Sequence, residues 1–237
     1  MERWKYKTAG DFGLPAMESL GSLRREAGLP SLAAHLLWGS LTRAYFRVLH
    51  RLKIEGLARL PAQAPFVLVA NHTSHLDALV LACALPLRFR LRAFPIAAGD
   101  TFFTKPAKAF FAAFLLNALP MWRKKCGPHA LDVLRQKLAS DPAIFILFPE
   151  GTRSRDGKLG AFKAGVGRLV AGSDVPVVPC HLTGCFESLP ADAGRPRFRR
   201  IRLKIGSARV FPEVSDDRAG WDTISEVLCA DVAALSR

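Results

Sequence analysis

Three short apolar runs constrain this chain most. Phe66 to Ala70, Ala143 to Phe148 and Val175 to Pro179 are each bounded by proline, glycine or polar residues. A continuous apolar run of that length reads as a strand buried on both faces. Helical stretches take turns with these runs at 76–85, 105–117, 128–140 and 162–172, and Pro128 suits a first helical turn. Strand and helix in alternation predict α/β layers around a largely parallel sheet. Arg202 to Ile205 alternates polar and apolar, as a half-exposed strand does, and Trp221 to Leu235 carries an amphipathic helical pattern. The 237 residues suffice for one domain with a sizeable core. The expected fold is α/β: a single-domain sandwich with a largely parallel mixed sheet flanked by helices, preceded by an N-terminal amphipathic helix.

Residues 1–30 read as a weakly ordered arm with a short helix around 16–27. Over 31–54, Ala34, Leu37, Trp38, Leu41, Tyr45, Val48, Leu49 and Leu52 fall on one helical face, with Ser40, Arg43, Arg47, His50 and Arg51 opposite. Such a helix can lie in a membrane interface, or turn its apolar side inward on a globular domain. Lys and Arg number 34 against 20 Asp and Glu, a net charge of +14 that attracts phosphate-bearing partners. The five cysteines are odd in number and form no CxxC pair, so they read as buried thiols of a reducing compartment. The charged N-terminus leads into no apolar core of a signal peptide. The longest apolar stretch, Ala109 to Trp122, holds 14 residues and is broken by Asn117, short of the roughly 20 that a spanning helix needs.

The polar segments that follow the strands carry the chemistry. Common signatures fail: there is no GxSxG elbow, Gly151 to Leu159 has the wrong spacing for a phosphate loop, and Gly165-Val-Gly167 does not complete a dinucleotide fingerprint. His72, His75 and Asp77 could be metal ligands, catalytic groups or simply a polar turn; no second His/Asp/Glu cluster downstream completes a metal shell. His72 lies in the loop and Asp77 in the first turn of the next helix. On a regular helix, residues five apart diverge by about 140°, so the two meet only if the chain bends at Thr73-Ser74. Once met, Asp77 holds the imidazole in one tautomer and leaves the other nitrogen to take a proton. The nucleophile is then missing, and the economical reading brings it on the substrate as a hydroxyl. After the second strand, Gly151 allows close backbone approach, and Thr152, Arg153 and Ser154 supply donors suited to phosphate. Arg123-Lys124-Lys125, taken alone, reads as a solvated charge run.

The blocks "NHTSHLD" (71–77), "FPEGTRS" (148–154) and "VPVVPC" (175–180), in this order and separation, resemble those of the glycerolipid acyltransferases typified by 1-acylglycerol-3-phosphate acyltransferase. The resemblance covers about residues 60–215. It implies acyl transfer from acyl-CoA or acyl carrier protein to the hydroxyl of a lysophospholipid, without metal or bound organic cofactor. By the resemblance, His72 is the general base and Asp77 its orienting partner. Ser74, Arg123, Glu150, Gly151, Thr152 and Arg153 are substrate-binding, with Arg153 on the phosphate, and Pro179 is the proline of the last block. Ala118 and Trp122 depart from the usual second block. The expected acceptor is 1-acylglycerol-3-phosphate, giving phosphatidic acid, and these departures leave glycerol phosphate, another lysophospholipid and a phosphate-free lyso-aminolipid as alternatives.

Residues 55–237 would then form the catalytic domain. The helix 31–54, the stretch 109–122 and the cations Arg195, Arg197, Arg199, Arg200, Arg202 and Lys204 would together face an anionic membrane, each cation contributing ~1 kcal/mol near the surface. The expected location is cytoplasmic, peripheral on the inner face of the cell membrane. Two rivals remain. A nucleic-acid binder would need aromatics interleaved with its cations, and only Phe198 interrupts the basic cluster, so no nucleic-acid partner is expected. A hydrolase would use His72 and Asp77 to activate water.

Overall fold

All five residues of β2 (Phe66–Ala70) are buried, and they divide between two cores. Phe66, Leu68 and Ala70 pack on one side of the sheet, Val67 and Val69 on the other. Its neighbour β5 (Ile144–Leu147) splits the same way, Ile144 and Ile146 against Phe145 and Leu147. With helices on both faces, such strands can be apolar at every position, which is why the runs do not alternate.

The computed structural model describes residues 22, 29–99, 103–121, 128–190 and 193–237. In chain order the further elements are α1 (Leu29–Leu49), β1 (Lys53–Glu55), α2 (Leu76–Ala84), α3 (Leu87–Arg90), β3 (Ala93–Ala98) and α4 (Pro106–Phe110). There follow β4 (Leu119–Met121), α5 (Pro128–Ser140), α6 (Gly165–Val170), β6 (Ser173–Thr183), α7 (Cys185–Ser188), β7 (Arg202–Ile205), β8 (Arg209–Phe211) and α8 (Arg218–Ala234). The sheet runs β1-β7-β6-β2-β5-β3-β4, with β8 against β6. Every pairing is parallel except β6 with β7 and β6 with β8. β2 therefore lies between β6 and β5, and their carboxyl ends form one edge where loop side chains converge. This is the expected mixed α/β architecture.

Three details differ from the sequence reading. The helix expected over 105–117 is α4 followed by a π-turn at Phe111–Leu115, closed where Asn117 takes a positive φ of 54°. The apolar stretch 109–122 does not face outward as a whole: Ala109, Ala112, Ala113, Ala118 and Leu119 are buried, leaving Phe110 and Phe111 exposed. The helix expected over 31–54 ends at Leu49, and β1 follows it into the sheet beside β7. Nearly all of the arm expected over 1–30 lies outside the described residues.

The facing of α1 also differs. It packs across α2 and the π-turn, and Thr42, Phe46 and, just past its end, His50 are buried. His50 and Arg43, expected on the solvated cationic side, turn inward: Arg43 Nη1 donates to Cys83 O at 3.2 Å, and His50 Nδ1 lies 3.1 Å from Arg199 O. Leu37 (65 % exposed), Leu41 (56 %) and Val48 (72 %) instead point outward.

Candidate active site

The loop after β2 is fastened to both neighbouring strands. Asn71 Nδ2 donates to Leu182 O and its Oδ1 accepts from Leu182 N–H, at 2.9 and 2.8 Å, so a side chain extends the β2–β6 ladder by one rung. On the other side the backbone N–H of His72 donates to Glu150 Oε1 at 2.7 Å, and His72 O accepts from Ser154 N–H at 2.8 Å. The His72 ring stacks on Phe148, centroids 4.1 Å apart and planes 18° from parallel. His72 is thus set in position by both neighbours of β2 before any substrate arrives.

The bend required between His72 and Asp77 is present. Asp77 is fully buried in the first turn of α2, and its Oδ2 accepts from His72 Nδ1 at 2.9 Å, Thr73 N–H at 2.7 Å and Ser74 N–H at 2.8 Å. The carboxylate is an acceptor only, so Nδ1 carries the ring proton and Nε2 of the neutral ring holds the lone pair. The imidazole side chain is 21 % exposed, enough for a ligand to reach it. The other oxygen, Oδ1, is buried without an ordinary hydrogen-bond partner. The buried Cys185 thiol interacts with this carboxylate, and burial first, then the Asp77 charge, hold that thiol well above its ordinary pKa.

The remaining expected residues separate into supports and surface. Glu150 is a support: Oε1 holds His72 N–H, Oε2 accepts from Gly160 N–H at 2.9 Å, and the side chain is buried. Burial pushes its carboxyl above the usual range, while the two N–H donors pull it back. Ser74 is likewise tied into the protein. It is fully buried, its Oγ donates to Leu189 O at 2.7 Å and accepts from Leu76 N–H at 3.1 Å. Gly151 (φ 75°), Thr152 and Arg153 do reach the surface. Arg123 lies outside the described residues.

Other groups join this rim, His75 of the first block among them. His75 is exposed; burial first, then the charges of Arg153 and His72 and, more weakly, Lys108 of α4 hold its pKa below the ordinary value, with Asp77 opposing. Lys163 lies over Gly151, so that a Cβ there would stand 2.8 Å from Nζ. Nothing in the order of residues announces Lys108 or Lys163, because each reaches the site through tertiary packing. Among the described residues, no group of three or more His, Cys, Asp and Glu could hold a metal ion.

Fold and site together define a class. A His–Asp pair sits at the carboxyl edge of a mostly parallel sheet, with cations on one flank. Residues 51–183 match the family described as Acyltransferase, and the chain belongs to that family. It is 34 % identical over 158 residues to the chloroplastic 1-acyl-sn-glycerol-3-phosphate acyltransferase LPAT1 of Arabidopsis thaliana, covering 65 % of this chain and 41 % of that protein. It is 31 % identical over 202 residues to 1-acyl-sn-glycerol-3-phosphate acyltransferase alpha of Homo sapiens, covering 74 % and 69 %. The chain thus spans about two-fifths of the plant relative and about two-thirds of the human one. Its fold is that of the crystal structure of the acyltransferase PlsC from Thermotoga maritima, with a TM-score of 0.64 at 24 % identity over 86 % of this chain and 78 % of that one.

Proposed function

We propose that this chain transfers a fatty acyl group from an acyl thioester to the free hydroxyl of 1-acylglycerol-3-phosphate, giving phosphatidic acid. The observation that carries the reading is the 2.9 Å contact of His72 Nδ1 with Asp77 Oδ2, which leaves Nε2 as the basic nitrogen. The acceptor named for the Arabidopsis and human relatives supports this choice of substrate. Nε2 takes the hydroxyl proton as the acceptor oxygen attacks the thioester carbonyl; the C–O bond forms, the C–S bond breaks, and the thiolate leaves. Asp77 stabilises the imidazolium in the interval, and backbone N–H groups of the two loops meet the oxyanion. A thiolate leaves readily, so this route needs no enzyme nucleophile, metal or bound organic cofactor. Thr152 and Arg153 hold the acceptor phosphate.

We also place the chain peripherally on an anionic membrane, the inner face of the cell membrane, through the outward strip of α1. Leu37, Leu41 and Val48 are exposed there, with the cations Arg47 and Arg51 close by in sequence. No helix among the described residues is long and apolar enough to cross a membrane.

The test is incubation with labelled acyl-CoA and a panel of lyso-lipid acceptors, scored by product mass. The expected result is phosphatidic acid from 1-acylglycerol-3-phosphate, with His72→Ala slower by about two to four decades, the usual span for general-base catalysis. Near-normal turnover in that variant would end the assignment, and release of free fatty acid alone would make the chain a hydrolase.

A further inference from the structure

The carboxyl edge of the sheet has a second concavity. A groove of about 660 Å³ is lined by Thr183 and Gly184 at the end of β6, by Phe186 of α7, and by Arg197, Arg199 and Arg200. Glu187 is the one carboxylate on its lining among the described residues. That volume lies within the roughly 300–1,000 Å³ typical of small-molecule sites.

The groove adjoins the His72 loop. Asn71 pairs through its side chain with Leu182, so Thr183 and Gly184 directly follow the residue to which the start of that loop is tied. Ser74 Oγ donates to Leu189 O, one residue before Pro190 on the groove's lining. Phe186 also touches the loop after β5: a Cβ on Gly157 would stand 3.0 Å from its ring.

The arginines are carried on a fixed backbone. Arg197 N–H donates to Ser188 O at 2.6 Å, Arg199 O lies 3.1 Å from His50 Nδ1, and Ile201 N–H donates to His50 O at 2.9 Å. Arg200 O comes so close to Gly184 (φ 85°) that a Cβ there would stand 2.0 Å from it. Among the described residues, none of the three guanidinium groups has an ion-pair or hydrogen-bond partner, so three forks on a held backbone stand open to phosphate.

We propose that this groove receives the phosphate-bearing nucleotide end of acyl-CoA, so that donor and acceptor reach His72 from the two flanks of β2. The inference rests on the acyl-transfer reading above and adds the donor's binding site to it. β6 and β5 lie on either side of β2; Thr152 and Arg153 follow β5, and the groove follows β6. Three guanidiniums match several clustered phosphates, whereas a flat bilayer does not fill a concavity, and a carrier protein offers a single phosphodiester.

The test is steady-state kinetics of the full chain with acyl-CoA, with the same acyl group on pantetheine alone, and with acyl carrier protein. For the Arg197→Gln/Arg199→Gln/Arg200→Gln variant, the KM for acyl-CoA should rise about tenfold or more, with kcat nearly unchanged and the KM for acyl-pantetheine unmoved. Glu187→Gln should lower the KM for acyl-CoA, a change of sign that misfolding cannot produce. An unchanged KM for acyl-CoA in the triple variant overturns the proposal, as does an equal rise for both small donors, or a loss confined to acyl carrier protein. Loss of binding to vesicles of phosphatidylcholine and phosphatidylglycerol, with acyl-CoA kinetics intact, assigns the arginines to lipid and overturns it too. If the unaltered chain transfers acyl groups from none of the three donors, the acyl-transfer reading itself fails, a result distinct from these.

Discussion

Asp77 gathers three donors on one oxygen, and in doing so it fixes the imidazole and the turn that presents it. The partnership was legible in the sequence, since two titratable residues five apart with a flexible pair between them can meet in one way only. Ser74 and Glu150 were legible only as members of the motif. Both are polar, close to the reactive group and typed like ligands, yet both meet the hydrogen-bond demands of buried loops, which no linear pattern displays. Ser74→Ala should leave Leu189 O and Leu76 N–H short of a partner, a cost of about 1–3 kcal/mol. Denaturant unfolding should show that loss while the acceptor KM stays as it was. An unmoved unfolding midpoint with a raised KM would return Ser74 to the substrate. The cations Lys108 and Lys163 escaped the sequence for another reason: α4 and the segment before α6 bring them in from distant stretches.

Strands buried on both faces were visible as β2, β5 and β6 because nothing but apolar residues suits them. β3 and β4 were not, since Pro95 and Pro120 interrupt runs that would otherwise read as strand. β1 and β8, three residues each, give no period to read. The apolar stripe of α1 was legible, but not where the helix stops, at Leu49, nor which of its residues the domain buries, because a stripe says how a helix can bury itself and not which side the domain occupies. Phe46 lies outside the stripe and is the residue buried completely. Replacing Leu37, Leu41 and Val48 together by Glu should therefore leave thermal stability within about 0.5 kcal/mol per site, as at ordinary surface positions. Cosedimentation with anionic vesicles should be lost, and turnover on detergent-dispersed substrate retained. Phe46→Ala should do the reverse, costing about 3–5 kcal/mol of stability. Full vesicle binding in the triple variant would remove α1 from the membrane surface.

His50 joins parts of the molecule that are far apart in sequence. It is buried between the Phe46 and Phe198 rings at the end of α1, with Nδ1 toward Arg199 O, Nε2 3.2 Å from the Tyr45 hydroxyl, and Ser188 Oγ also near. Burial lowers its pKa below the ordinary value, against the pull of the Arg199 carbonyl; His181 is lowered as well, by burial and then by Lys204. Both rings are held neutral in the fold, so below about pH 6.5 the unfolded chain takes up protons that the folded chain refuses. Stability is complete above that pH and falls as acid approaches the folded pKa values. Glu150 has the opposite sign: burial raises its pKa, so the fold favours the protonated carboxyl, and its penalty is absent in acid and set in place as pH rises through the folded value. Between about pH 7.5 and pH 5.5 the histidines of the unfolded chain charge, and the net charge of +14 adds self-repulsion as they do. The unfolding midpoint should fall across that interval. In His50→Gln, where an amide meets the same partners without titrating, it should start lower and fall less steeply. An equally steep fall in the variant would place the acid sensitivity elsewhere and leave His50 a joint without a charge to gain.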